Sequence, residues 1–286
     1  MNRRRFLKGV AATTLSVSLA GAIYGRAEAG WLTVTRQTLA VPNLPSPFAG
    51  KTIALLTDPH HGPFNSLSFL QAVVEQTNAL QPDLIALCGD FIQGGDRGYI
   101  VPGLQVFAAL RAPLGVFVVP GNHDHLHGRI RLVRRAIHDS GLIDATNGGR
   151  WIECDGDRIR IGGVDDLWYG EQNLDAALGD ATERDACILL SHNPDYAETL
   201  RDPRVGLMLS GHMHGGQIVL PGLPHPWLPS RYGTKYLEGL VQAPRTQVFV
   251  SRGLGTVGLP LRFRCPPEIN MLTLAQRYSS CPLHTC

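Results

Sequence analysis

The sequence predicts an α/β fold from three observations. Short apolar runs such as Thr52–Thr57, Asp83–Cys88 and Gly115–Val119 read as buried strands. In the first half these runs alternate with longer amphipathic stretches that read as helices, whereas the second half is richer in strands. Several runs break directly into glycine, aspartate, asparagine or histidine, so polar chemistry gathers where strands end.

In chain order, Trp31–Gln37 alternates like a strand, and Pro42, Pro45 and Pro47 make the stretch to residue 50 a linker after a lead-in. The main domain is expected over residues 51–275, with a tail over 276–286. Thr52–Thr57 is its first strand and ends in Asp58-Pro59-His60-His61-Gly62. Asn65 is expected to cap a helix over Ser66–Leu80, whose apolar side carries Phe69, Leu70, Val73, Val74 and Leu80. The strand Asp83–Cys88 ends in Gly89-Asp90, and a helix is expected over Val101–Arg111. Gly115–Val119 is a third strand, ending in Pro120-Gly121-Asn122-His123-Asp124. Arg129–Ser140 is helical, with Gly141 as its stop. Trp151–Cys154 and Arg158–Ile161 flank Asp155-Gly156-Asp157 and form a hairpin. Ala186–Leu190 is a strand ending in Ser191-His192-Asn193-Pro194, and Val205–Leu209 one ending in Ser210-Gly211-His212-Met213-His214. Gln247–Ser251 and Ile269–Leu274 are the last strands.

Hydrophobic residues make up 44% and charged residues 17% of the 286, an ordinary globular composition with room for a sizeable core. The net charge of +2 hides an asymmetry: residues 1–29 carry +4, and the rest carry −2. Bulk charge therefore does not favour nucleic acid as a partner. Arg3-Arg4-Arg5-Phe6-Leu7-Lys8, an apolar run over Val10–Ile23 and Ala27-Glu28-Ala29 read as the charged, apolar and cleavage regions of an export signal. The first of these resembles a twin-arginine signal, which implies export of the folded chain through the twin-arginine machinery to the periplasm or outer membrane face. Failure of cleavage would leave the chain tethered to the membrane. Cys88 and Cys187 sit in strand-like runs as small core residues. Cys281 and Cys286 close a short loop that an oxidising compartment would allow to bridge.

Asp58, His60, Asp90, Asn122, His123, His192, His212 and His214 all fall just past the ends of separate strand-like runs. Ligand sites of open α/β sheets lie beyond the carboxyl ends of strands. Carboxylate, imidazole and amide oxygen suit Mn, Fe or Zn, and a shared carboxylate can hold two cations roughly 3.5–4 Å apart for attack at phosphorus. On the strand periodicity of two, His212 and His214 point into one site.

Asp58-x-His60-x-Gly62, Gly89-Asp90, Gly121-Asn122-His123-Asp124, Ser191-His192 and Gly211-His212-x-His214 together resemble the signatures of the calcineurin-like metallophosphoesterases, in order and spacing from about residue 50 to 275. Gly211–Gln217, Ser251–Gly255, Arg262-Phe263 and Pro266–Glu268 resemble its YkuE-like exported branch, often associated with UDP-2,3-diacylglucosamine pyrophosphatases. The resemblance implies a four-layer α-β-β-α sandwich of two mixed sheets flanked by helices. It implies one divalent metal on Asp58, His60, Asp90 and His214 and a second on Asp90, Asn122, His192 and His212, with Asp90 bridging. A metal-bridging hydroxide would attack phosphorus, Asn122 would help hold the oxyanion, His123 would serve the leaving oxygen and Asp124 would orient His123. Pro59 departs from the family, where a bulky apolar residue is commoner, but it removes no ligand.

The reading that follows is an exported enzyme hydrolysing a phosphodiester or pyrophosphate, with a lipid or nucleotide-linked lipid as first substrate class. A phosphomonoesterase and a non-catalytic metal-binding envelope protein are the alternatives. His61 and His125 are expected to be solvated loop residues. The apolar loop Leu220–Pro229 is either a rim meeting a bilayer through Leu223, Trp227 and Leu228 or a loop packed on its own core. Arg252 and Arg262 meet either a phosphate or partners within the fold, and Trp168-Tyr169 is a second candidate rim.

Overall fold

The structure, a computed structural model, describes residues 19–94, 96–225 and 228–277. A first helix, α1, covers residues 19–28. The chain continues through β1 (Thr33–Val41), β2 (Thr52–Leu56), α2 (Leu67–Ala79), β3 (Leu84–Cys88), α3 (Ile100–Gln105) and β4 (Val116–Val119). It proceeds through α4 (Asn122–His125), α5 (Ile130–Asp139), β5 (Ile143–Asp144), β6 (Gly148–Cys154), β7 (Asp157–Gly163) and α6 (Leu174–Leu178). The described part ends with β8 (Cys187–Leu190), α7 (Tyr196–Thr199), β9 (Val205–Ser210), β10 (Gly239–Gln242), β11 (Gln247–Val250) and β12 (Glu268–Gln276). The tail cysteines Cys281 and Cys286 lie outside the described residues, as do residues 1–18 and Trp227.

The strands form two six-stranded mixed sheets, ordered β1-β12-β2-β3-β4-β5 and β10-β11-β9-β8-β7-β6. Strand alternation builds the layers. In β2, Ile53 and Leu55 enter the core between the sheets, where they meet Ile161, Ile188, Leu207 and Phe249 of the second sheet. Ala54 and Leu56 face the other way, onto Leu70 and Val73 of α2 and Val133 and Ile137 of α5. The outer face of the second sheet is covered by α6 and α7 through Ala177, Leu178, Tyr196 and Ala197. Both faces of each sheet are therefore dry, which is why its central strands read as continuous apolar runs. The α-β-β-α sandwich is the fold.

Several details differ from the sequence expectation. Residues 30–50 are not a lead-in outside the domain: β1 pairs in parallel with β12 along its whole length, from Thr33 opposite Glu268 to Val41 opposite Gln276. Helix α1, placed in the export signal, packs on the body of the protein, with Gly25 and Glu28 buried. The second helix is broken: α3 passes into a 3-10 segment over Val106–Ala109. The hairpin turns at Asp155 and Gly156, both at positive φ, as its two strands require. No helix of the described residues is long and apolar enough to cross a membrane.

The cap of α2 is Ser66, whose hydroxyl accepts from Phe69 N, and not Asn65. Asn65 is buried. Its amide donates to the carbonyls of His60 and Thr256 at 2.9 and 3.0 Å and accepts from Thr256 N at 3.2 Å. It thus ties the loop after β2 to the loop after β11. Asn65→Ala leaves buried backbone groups unpaired at a cost of roughly 1–3 kcal/mol for each unsatisfied group. With three such groups, the expected loss is about 3 kcal/mol or more of unfolding free energy in a urea titration at unchanged slope. A loss below about 0.5 kcal/mol would mean that water takes over the bonds.

Candidate metal centre

The carboxyl ends of β2, β3 and β4 in one sheet and of β8 and β9 in the other converge, and each delivers polar residues to one cluster. Asp58, His60, Asp90, Asn122, His192, His212 and His214 are all buried there. Three backbone bonds lock the loops together: Asp58 N donates to Gly89 O, His60 N to Asp90 O and Gly211 N to His192 O. The Asp58 carboxylate accepts from His212 N through both oxygens at 3.1 Å.

Glycine makes the approach possible at several positions, Gly89 and Gly121 among them. A Cβ on Gly89, which has φ +78°, would lie 2.7 Å from His192 Nδ1. One on Gly121 would meet Asp90 Oδ1 and come within 2.8 Å of the His192 ring. Five of the clustered residues carry positive φ themselves: Asp58, His60, Asp90, His212 and His214. Such backbone costs of order 1 kcal/mol or more per residue and gathers at functional sites. His212 and His214 therefore do not share a face as strand residues. They lie past the end of β9, and left-handed turns aim their rings, a reason the strand periodicity could not supply.

The donor atoms gather in two neighbouring groups. In the first, His214 Nε2 lies 3.4 Å from Asp58 Oδ1 and 3.1 Å from His60 Nε2, and His60 Nε2 lies 3.5 Å from Asp90 Oδ2. In the second, His192 Nε2 lies 3.2 Å from Asp90 Oδ2, 3.2 Å from Asn122 Oδ1 and 3.2 Å from His212 Nδ1. Asp90 belongs to both. The donor set fits divalent cations: carboxylate oxygens, an amide oxygen and ring nitrogens face one another in a buried cluster, with His60 Nε2 and His214 Nε2 only 3.1 Å apart. Two rings are aimed by backbone carbonyls, as metal-ligating histidines are. His192 Nδ1 pairs with Cys88 O at 2.8 Å, and His212 Nε2 with Pro229 O at 2.9 Å.

Electrostatics point the same way. Burial pushes His60 and His212 down to about 3 and holds His214 well below the usual imidazole range. These three rings are neutral at physiological pH, the form that binds metal. Burial also raises Asp58 to about 6. At His192 burial works downward, but Asp90 and then Asp58 outweigh it and hold the ring up to about 10. Burial would raise Asp90, yet His192, His123 and His60 keep it well below the usual carboxylate range. The two carboxylates thus create a demand for positive charge at the cluster.

His123 differs from the others. It is half-buried, and its ring stands edge-on to His60 with centroids 4.8 Å apart. Its N–H donates to Asp90 Oδ1 at 2.7 Å. His60, Asp90 and His123 also bring donor atoms within 4.8 Å of one another, so proximity alone does not separate His123 from the ligands. Asp124 does not orient the His123 ring. Its oxygens accept from Phe91 N and Gly121 N at 2.9 Å, so it braces the loops after β3 and β4, and burial followed by Asp90 raises it to about 7.

His61 and His125 are not solvated. His61 is buried, with Nδ1 on Asn65 O, and His125 pairs with Asp165 at 2.8 Å. Arg252 pairs with Glu268 at 2.6 Å. Arg262 is wholly buried and donates to the carbonyls of Arg252, Gly253, Gly255 and Cys265. Both arginines are therefore structural. Asn193 escaped the sequence reading. Its amide lies 3.2 Å from His212 Nε2 while its Oδ1 accepts Asp195 N, and the only hint was an Asn-Pro pair after His192. The Pro229 carbonyl carried no signal at all.

The sequence pattern of the calcineurin-like phosphoesterases matches residues 51–216, which hold the whole cluster. The chain belongs to this family. It is 36% identical over 283 residues to the metallophosphoesterase YkuE of Bacillus subtilis (strain 168), covering 96% of this chain and 98% of that one. It is 31% identical over 277 residues to the phosphodiesterase YaeI of Escherichia coli (strain K12), covering 96% and 99%. The crystal structure of TT1561 of Thermus thermophilus superposes with a TM-score of 0.48 at 14% identity, covering 71% of this chain and 90% of that one. As a member of the family the chain is a metal-dependent phosphoester hydrolase.

Gly121 tests the geometry without touching a donor atom. In Gly121→Ala the added methyl displaces Asp90 or His192. Metal content by mass spectrometry is expected to fall, with affinity reduced by about 10–100-fold, the range seen when support for a ligand is lost. Unchanged metal content would show that the cluster tolerates displacement of its shared carboxylate.

Proposed function

We propose that the chain is an exported phosphodiesterase or pyrophosphatase that holds two divalent metal ions, Mn, Zn or Fe, on the seven clustered residues. The observation that carries this reading is the shared position of Asp90 between two groups of buried imidazoles. When bound, the metals polarise the phosphoryl group and supply an acidified water. The chain's own residues do the rest. Asp90 Oδ2 lies near His60 and His192 and gives both groups a common charge. The cluster's burial excludes bulk water and strengthens every electrostatic contact in it. His123, half-buried beside His60, is the residue placed to pass a proton to the leaving oxygen.

A nearby cavity supports a substrate with an apolar portion. It has a volume of about 180 Å³, opens beside His212 and His214, and is lined by Ile218, Pro229, Val257 and Leu259. It is smaller than a typical whole-ligand pocket, so it suits one arm of a larger molecule. Leu220 and Leu223 on the following loop are exposed, while Leu228 packs against the outer core of the second sheet. The loop is thus partly rim and partly packed. An acyl or other apolar group linked to the phosphate fits this surface, in a phospholipid or a nucleotide-linked lipid. Export would bring the enzyme to phospholipids, cell-wall polymers or scavenged nucleotides. The arginine-rich N-terminus and the Ala27-Glu28-Ala29 pattern support twin-arginine export to the periplasmic side.

The test compares a chromogenic phosphodiester with the matching monoester on the manganese-loaded full chain. Diester turnover is expected to exceed monoester turnover. His123→Asn is expected to lower kcat by about 10²–10⁴-fold, the usual share of a general acid, with metal content unchanged. Loss of a metal in that variant would make His123 a ligand, and monoester preference would move the reading to a phosphatase.

A further inference from the structure

The segment read as a cleavable export signal is partly built into the enzyme. Helix α1 turns one narrow face inward, and Gly25 and Glu28 on that face are buried. Gly25 O accepts from Arg262 N at 2.9 Å, and a Cβ on Gly25 would lie 3.1 Å from Arg262 O. Glu28 is 2% exposed, and its Oε1 accepts from Cys265 N at 2.6 Å. Tyr24 completes the contact, its ring edge-on to Trp31 and Phe263 at 5.4 and 5.3 Å.

The loop gripped in this way supports the metal centre. Cys265 Sγ reaches His214 O at 3.1 Å. Arg262 fastens the carbonyls of Gly253 and Gly255, and Gly255 N donates to Asp58 O at 2.7 Å. Glu28 is thus two residues away from His214 through bonded contacts. It is also the middle residue of the expected processing sequence. A peptidase needs that sequence extended in its cleft, but here it closes a helix: Ala29 N donates to Gly25 O, Gly30 N to Ala27 O and Trp31 N to Glu28 O. Cleavage would require this turn to open and Glu28 to leave its pocket.

We propose that the N-terminal segment is not shed: residues 19–29 stay clamped to the 262–265 loop as a permanent part of the exported enzyme. The retained chain then holds the enzyme at a lipid bilayer. This rests on the reading that the chain is exported folded, because only a folded chain presents a locked site. The outward face of α1 carries Leu19 and Ile23, both more than half exposed, and continues the apolar run that begins at Val10 behind Arg3, Arg4, Arg5 and Lys8. A basic and apolar N-terminus of this kind suits an anionic bilayer.

The test digests the purified full chain with signal peptidase, folded and urea-unfolded, followed by intact mass. The unfolded chain is expected to lose residues 1–29 by hydrolysis of the Ala29–Gly30 amide, and the folded chain to be cut at least about tenfold more slowly, since cleavage follows the opened fraction. Glu28→Gln keeps the acceptor and should stay protected, whereas Glu28→Ala should become cleavable while folded. Equal cleavage of folded and unfolded chain overturns the proposal. So does resistance of the unfolded chain, because no clamp would then be needed. In cells, the exported protein should be recovered with the membrane and with residues 1–29 attached, and an exported chain beginning at Gly30 overturns retention. Recovery from the cytoplasm alone refutes the export reading, and the digestion still decides whether the fold locks the site.

Discussion

The structure depends on one electrostatic constraint: Asp58 and Asp90 are buried side by side with four imidazoles. Burying a carboxylate without compensation costs several kcal/mol, and here two carboxylates share one dry space. Compensation comes from specific partners. His212 N donates to both oxygens of Asp58, and His123 N and His192 lie against Asp90. The rest of the fold can be understood as the means of holding that charge in place. Strands from two sheets end at the same level, and each loop is bonded to its neighbour before any ligand is considered.

The same constraint explains where strain is tolerated. Five clustered residues take left-handed backbone, and Gly89 and Gly121 leave no room for a side chain. A loop held only by solvent would relax out of such conformations. These loops do not relax because they are braced from beneath by Asn65, Asp124 and Arg262, whose polar groups are spent on backbone atoms of the loops. Residues that look chemical in the sequence are thus divided between two tasks. Asp124 and Arg262 fix the main chain, and Asp90 and His192 face the cluster.

Much of this was legible from sequence, for a physical reason. A strand buried on both faces must be apolar throughout, so the abrupt change to Asp58, Asp90, Asn122 and His192 marks a strand end without knowledge of the fold. The packing of β2 by alternate residues follows from the same rule. What stayed hidden depends on backbone conformation or on distant partners. The rings of His212 and His214 are aimed by left-handed turns and not by strand alternation. His61 and His125 looked like loop histidines because their partners, Asn65 O and Asp165, are set by tertiary contact. Residues 33–41 looked peripheral because the strand they join, β12, lies at the far end of the chain. The contact of the Pro229 carbonyl with His212 has no side-chain signature.

The position of β12 has a consequence for the order of assembly. It is the last described strand in sequence, yet it lies between β1 and β2, the first two. A ribosome must therefore release residues up to about 276 before the first sheet can close and β1 can find its neighbour. The loop over 252–265, which supports Asp58 and His214, is also made late. Asp58, Asp90 and Asn122 are made early and wait for His192, His212 and His214, and then for the scaffold that positions them all. The cluster can therefore close only after β12, the last of the described strands, has been made.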